Sequence, residues 1–120
     1  MFKLPALLVG RLIHHLTRVN KTFMLLLMIQ SFACPETKLF FITGKSRRFP
    51  PAIRVRAAYR LIQLNAANVL GDLRMPPSNR LEALKGPRRG QWSIRINDQW
   101  RICFRFENGD AFDVEITDYH

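Results

Sequence analysis

Three alternating segments near the C-terminus constrain the fold of this chain more than any other feature. They are Gln91-Trp92-Ser93-Ile94-Arg95-Ile96, Trp100-Arg101-Ile102-Cys103-Phe104-Arg105-Phe106 and Ala111 to Thr117. Alternation with a period of two sends successive side chains to opposite faces of a strand. Asn97-Asp98 suits a tight turn between the first two segments, and Asn108-Gly109 is a strong hairpin signal between the second and third. Together they predict an antiparallel meander. One face of the middle strand carries Trp100, Ile102, Phe104 and Phe106; Phe112, Val114 and Ile116 supply the apolar side of the third strand. The opposite face carries Arg101, Cys103 and Arg105, with Gln91, Ser93 and Arg95 sharing one side of the first strand. A two-faced sheet would pack its apolar side on helices and present Arg95, Arg101 and Arg105 on the other. The alternative is an ordinary polar sheet face balanced by Asp113 and Glu115.

Helical signals lie upstream. Met28-Ile29-Gln30-Ser31-Phe32 alternates and reads as a first strand. Pro35 and Glu36 suit the first turn of a short helix, an acid near the positive helix end, and Gly44 suits its stop. Pro50 and Pro51 open a second helix, expected from Ala52 to Ala67. Ile53, Ala57, Ala58, Leu61, Ile62 and Leu64 form its apolar stripe, Val55 and Tyr59 broaden it, and Arg54, Arg56, Arg60 and Gln63 lie mostly opposite. Asp72 to Asn79 reads as a loop, with Pro76-Pro77 and Ser78-Asn79 as breakers. A shorter strand is expected over Arg80 to Leu84. A strand, then helices, then a meander define an α+β class. The length of 120 residues suits one domain.

Residues 1–27 differ from the rest: they hold Lys3, Arg11, Arg18 and Lys21 and no acid. Their apolar runs, Leu4 to Val9 and Phe23 to Ile29, fall short of the roughly 18–20 residues of a membrane span. Charged residues and His14-His15 interrupt any secretory pattern, and no small-residue cleavage site follows. The expectation is a leader produced by a start assigned too early, with Met24 or Met28 as the true start and the domain occupying residues 28–120. The whole chain carries 19 Lys and Arg against 9 Asp and Glu, a formal charge of +10. Residues 28–120 keep 15 basic against 9 acidic residues, net +6. Such an excess is easiest to understand with a polyanionic partner. Cys34 and Cys103 are too few and too far apart for a disulfide framework, and read as small buried hydrophobes of a reducing compartment. No Cys/His cluster suggests zinc, so no metal and no cofactor are expected.

Several segments, in this order and spacing, resemble HigB toxins of the RelE/ParE-like superfamily. They are Asn79-Arg80-Leu81-Glu82-Ala83-Leu84-Lys85-Gly86, Gln91 to Ile102 with its Trp-Arg-Ile, Asn108-Gly109-Asp110-Ala111, and the terminal Asp118-Tyr119-His120. The resemblance covers Met28 to His120. It implies a RelE-like α+β fold, an N-terminal strand and two helices packed on an antiparallel sheet that ends in a meander. It also implies metal-independent mRNA cleavage on the translating ribosome in the cytoplasm. The implied partner is a HigA-like helix-turn-helix antitoxin, through which alone operator DNA would be bound; no membrane is involved. Some HigB members place a His three residues before the Lys of Leu-Lys-Gly; here that position is Glu82.

RNA can be cut without metal when its own 2′-OH attacks the adjacent phosphate. Basic groups must stabilise the extra charge, and a His, carboxylate or Tyr must move protons. Lys85 and Arg101 are candidates to grip the scissile phosphate, one as a point charge and the other as a planar fork. Asp118 or His120 is the candidate general base, and Tyr119 a candidate to stack on a base or orient the phosphate. Arg95, Arg105 and the Glu82 position are candidate RNA contacts. Trp92 and Trp100 read as core residues rather than stacking platforms. Two other readings stay open: a basic nucleic-acid-binding module without catalysis, and a ParE-like toxin that poisons gyrase.

Overall fold

A computed structural model describes residues 28–119. The leader 1–27 and His120 lie outside the described residues, so the expectations placed on them have no structural counterpart here. Two helices, α1 (Pro35–Thr43) and α2 (Pro51–Ala66), cover one face of a four-stranded antiparallel sheet. Its strands are β1 (Glu82–Ala83), β2 (Trp92–Arg95), β3 (Trp100–Glu107) and β4 (Asp110–Asp118), adjacent in chain order. This is the α+β architecture that the pattern predicts. Among the described residues no helix is long and apolar enough to cross a membrane.

The turns form where the local chemistry asks for them. Asn108 and Gly109 both take positive φ, 51° and 84°, as a type I′ hairpin requires. Gly109 is also fixed by space, since a Cβ there would meet the Asn68 carbonyl oxygen at 3.1 Å. Between β2 and β3 the Asn97 side chain closes the turn, its Oδ1 accepting the N–H groups of Gln99 (2.8 Å) and Trp100 (2.7 Å). Helix α1 starts with Pro35 and ends at Gly44, whose φ of 74° lets its N–H return to the Phe40 carbonyl at 2.8 Å. The core joins Phe40, Phe49, Leu61 and Leu64 from the helical layer to Ile94, Ile102, Phe104, Val114 and Ile116 from the sheet. Trp100 sits in this core, edge-on to Phe49 at 5.9 Å, and Trp92 packs against it.

Several expectations are corrected. The apolar stripe of α2 does not widen toward Val55 and Tyr59, which are exposed. Arg60 is buried instead, because it stands three residues after Ala57 and four before Leu64 on the sheet-facing side. Val55 and Tyr59, four residues apart, share the opposite side. Phe112 leaves the apolar face of β4. A β-bulge between Cys103 and Arg105 puts Asp113 at φ 54°, so Ala111, Val114 and Ile116 point into the core while Phe112 pairs with Arg105. The first strand is reduced to two parallel bridges, Ile29 with Ala111 and Phe32 with Val114. The bulge lies between them, and the Asp113 N–H turns to the Ser31 hydroxyl at 2.8 Å. The loop from Asp72 to Asn79 contains short 3-10 turns at Leu70–Arg74 and Pro77–Asn79. The Asp72 carboxylate accepts the N–H groups of Asn68 and Val69, and the buried Asn79 amide donates to the Leu73 carbonyl at 3.0 Å. The expected strand over Arg80 to Leu84 keeps only Glu82 and Ala83, since Arg80 turns to φ 44° just before it.

The outer edge of β4 is sealed by other parts of the chain. Ala111 and Val114 donate to the carbonyls of Met28 and Ser31. The Ile116 N–H donates to Thr37 Oγ1 at 3.0 Å, within a pair of fully buried residues that locks α1 to the sheet. Thr37→Val keeps the shape but leaves that N–H without an acceptor, a loss of about 1–3 kcal/mol. Urea unfolding should show a lower midpoint with an unchanged slope. Thr37→Ser, which keeps the oxygen and removes one methyl, should lose only about 1 kcal/mol. Equal stability of the Val variant and the parent chain would exclude this bond as the lock.

Candidate active site

The polar face of the sheet is ordered in two rows. Glu82, Ser93, Cys103 and Glu115 stand opposite one another across the four strands. In the next row Arg95, Arg101 and Thr117 are opposed, and Tyr119 follows beyond the end of β4. Strand alternation puts these side chains here, and the loop from Arg80 to Gln91 brings β1 and its flanks against them.

Arg101 is at the centre. Its side chain is only 11% exposed. Nε donates to Ser93 Oγ at 2.7 Å, and Nη2 donates to the Arg80 carbonyl at 2.7 Å. The same nitrogen lies 3.4 Å from Glu82 Oε1. The guanidinium stands 5.9 Å from the centre of the Tyr119 ring, a cation–π contact. A charge taken this far from water is tolerated only when paired and hydrogen-bonded. These contacts hold the fork in one orientation. They draw on two of its five N–H donors, so it keeps capacity for an anion.

The terminal residues are anchored rather than frayed as far as the structure describes them. The Tyr119 N–H donates to the Gln99 carbonyl at 2.7 Å, and the Gln99 side-chain amide donates to Asp118 Oδ2 at 3.0 Å. The β2–β3 turn thereby fixes both residues, Tyr119 beside Arg101 and Asp118 opposite Trp100. Lys85 is exposed, two residues after β1, and precedes the 3-10 turn Gly86–Arg88; among the described residues it has no ion pair.

Of the candidate residues, the structure gathers Glu82, Arg101, Tyr119 and the neighbouring Arg95, while Asp118 stands opposite Trp100 on the alternate side of β4, held by Gln99. Arg95 pairs with the exposed Asp98 of the turn. Arg105 is apart, four residues along β3, roughly 13 Å at the rise of a strand. It donates to Asp113 Oδ2 at 2.8 Å, pairs with Glu107 and lies 5.3 Å from the Phe112 ring centre. The hydrogen bond to Asp113 is the main reason its pKa is raised. Arg88 bridges to Glu115 at 3.3 Å. The face is therefore not a bare basic platform: Arg88, Arg95, Arg101 and Arg105 each meet a carboxylate, with Asp113 and Glu115 acting as the balancing acids.

Sequence reasoning missed Ser93 and Arg88. The only signal for Ser93 was its place in the same alternating run as Arg95; nothing local marks Arg88. Cys103 is fully buried in the middle row, and burial pushes its thiol pKa up, so it stays a neutral thiol rather than a nucleophile. Among the described residues no group of three or more His, Cys, Asp or Glu is placed to hold a metal ion. What the arrangement offers is a fixed guanidinium, an aromatic ring and nearby carboxylates, a set suited to an anionic phosphate and to proton movement next to it.

Comparison with known proteins identifies the family of the chain. Residues 30–120 match the family model of the HigB-like toxin, described as the RelE-like toxin of the type II toxin–antitoxin system HigB. The chain is similar to a Proteus vulgaris protein named Endoribonuclease HigB, 39% identical over 93 residues, which is 78% of this chain and 100% of that protein. It is also similar to Toxin HigB-1 of Vibrio cholerae, 39% identical over 76 residues, 62% of this chain and 80% of the relative. An uncharacterized Haemophilus influenzae protein is 38% identical over 54 residues, 45% of this chain and 54% of its own length. The chain belongs to the HigB family of RelE-like toxins of type II toxin–antitoxin systems.

Proposed function

We propose that residues 28–120 form an mRNA endoribonuclease that inhibits translation by cutting message on the ribosome, in the cytoplasm. The observation that carries this reading is the buried Arg101 guanidinium, fixed by Ser93, Arg80 and Glu82 beneath the Tyr119 ring. The name of the Proteus vulgaris relative supports the same activity. Membership of a type II system implies an antitoxin partner. A HigA-like helix-turn-helix antitoxin, carrying the complex to operator DNA, is the specific form proposed.

In the proposed reaction the 2′-oxygen of one nucleotide attacks the adjacent phosphorus in line with the departing 5′-oxygen. The 2′-O–P bond forms and the P–O5′ bond breaks, leaving a 2′,3′-cyclic phosphate and a 5′-hydroxyl. The 2′-OH proton passes to a base, Asp118 or His120, and the leaving oxygen takes a proton from solvent water. Arg101, already oriented, and Lys85 stabilise the charge that builds on the phosphoryl oxygens. Tyr119 presents a ring on which a base can stack. Glu82 touches Arg101 and so competes with the phosphate for it.

Arg101→Ala and Arg101→Lys should each lower the rate of mRNA cleavage in a translation extract by about 100-fold or more, in the range of removing one transition-state donor. Antitoxin binding should stay nearly intact, and the Lys variant guards against loss of fold. Normal cleavage by a folded Arg101→Lys protein would remove this residue from the site. A chain ending at Thr117 should fold, by circular dichroism, yet fail to arrest growth when induced; retained toxicity would place the site elsewhere. Glu82→His removes the competing carboxylate and supplies a group that titrates near neutrality. The initial cleavage rate should rise several-fold, and a fall would mean that Glu82 itself moves the proton.

A further inference from the structure

An open groove of about 670 Å³ runs between α2 and the β2–β3 turn, and Val55, Arg56, Arg60, Ser78 and Asn97 contribute to its walls. Arg60 is 9% exposed. Its Nε donates to the Arg95 carbonyl at 3.0 Å and its Nη2 to Ser78 Oγ at 3.2 Å. Arg56 Nη1 donates to the Ile96 carbonyl at 3.3 Å. Among the described residues neither arginine has a carboxylate partner, in contrast to the paired arginines on the polar face of the sheet. Burial, then the charges of Arg56 and Arg95, lower the Arg60 pKa, so the fold gathers like charges against their own repulsion. A guanidinium does not escape by losing its proton near neutral pH. Most of the N–H donors on the two side chains remain unused by the protein.

The groove is joined to the site already described. Arg60 holds the backbone of Arg95, which is the cross-strand neighbour of Arg101. Asn97, on the groove wall, shapes the turn that positions Gln99, and Gln99 anchors Asp118 and Tyr119. Groove and site therefore flank one short turn.

We propose that this groove binds a phosphodiester of RNA lying outside the cleavage site. The proposal rests on the RNA-cleaving reading above. Two guanidinium forks without acids, together with the hydroxyl of Ser78 and the amide of Asn97, match phosphate oxygens. Continuity with Arg95 favours a strand leaving the site over an acidic protein segment. The RNA is either the strand being cut or ribosomal RNA.

The test uses the full chain, its Arg56→Glu and Arg56→Gln variants, and 2′-O-methylated RNA of three or twelve nucleotides, which lacks the attacking hydroxyl. Arg56→Glu places a carboxylate beside Arg60, so its melting temperature should equal or exceed that of the parent. Its affinity for the twelve-mer should fall about ten-fold, with a salt slope smaller by about one, while the three-mer binds as before. Arg56→Gln should fall less. The same loss seen only on ribosomes stripped of message supports the groove and assigns it to ribosomal RNA. Unchanged binding of both RNAs and of the message-free ribosome overturns the proposal, as does a loss confined to the antitoxin, which would make the groove a protein interface. Failure of the cleavage reading shows separately, as three-mer binding that Arg101→Ala does not weaken.

Discussion

Removing one arginine side chain from water organises the functional half of this fold. Arg101 needs an oxygen for each donor it withdraws from solvent, and the sheet supplies them from separate strands. Ser93 comes from β2, the Arg80 carbonyl from the approach to β1, and Glu82 from β1 itself. A strand of two residues would hardly persist alone; here its place is defined by the charge it helps to neutralise. The C-terminal residues join the same cluster through Tyr119. Donors fixed in this way need no reorganisation when negative charge appears near them, which is the physical basis of electrostatic catalysis.

The arginines of the sheet's polar face and those of α2 have different partners. Those on the polar face meet carboxylates, so an anion arriving there exchanges with an acid rather than filling an empty site. The arginines of α2 bond to backbone carbonyls and a hydroxyl. Net charge alone does not distinguish the two sets, because both contribute equally to the excess of basic residues. The difference lies in which acids the topology brings within reach.

Much of the fold was legible because it depends on short-range rules. The Asn108-Gly109 turn, the Pro35 start and Gly44 stop of α1, and the alternation of β3 each follow from neighbours in sequence. What escaped depends on partners far along the chain. Phe112 belonged by alternation to the apolar face, yet the bulge at Asp113, tied to Arg105 and Ser31, carries it to the other side. Arg60 was expected on the side opposite the apolar stripe, although its helical position faces the sheet and the Arg95 carbonyl accepts from it. In the site, the resemblance to HigB toxins pointed to Arg101 and the terminal residues. The packing of Ser93 against Arg101 needed the register of β2 and β3, which no local pattern states.

The ends of the sheet have a further meaning. β4 has its outer N–H groups taken by the first segment and by Thr37, and β1 exposes only two residues of backbone. Among the described residues, each edge offers little backbone on which a strand from another chain could extend the sheet. Separate copies are thereby disfavoured from the edge-to-edge stacking by which β-proteins aggregate.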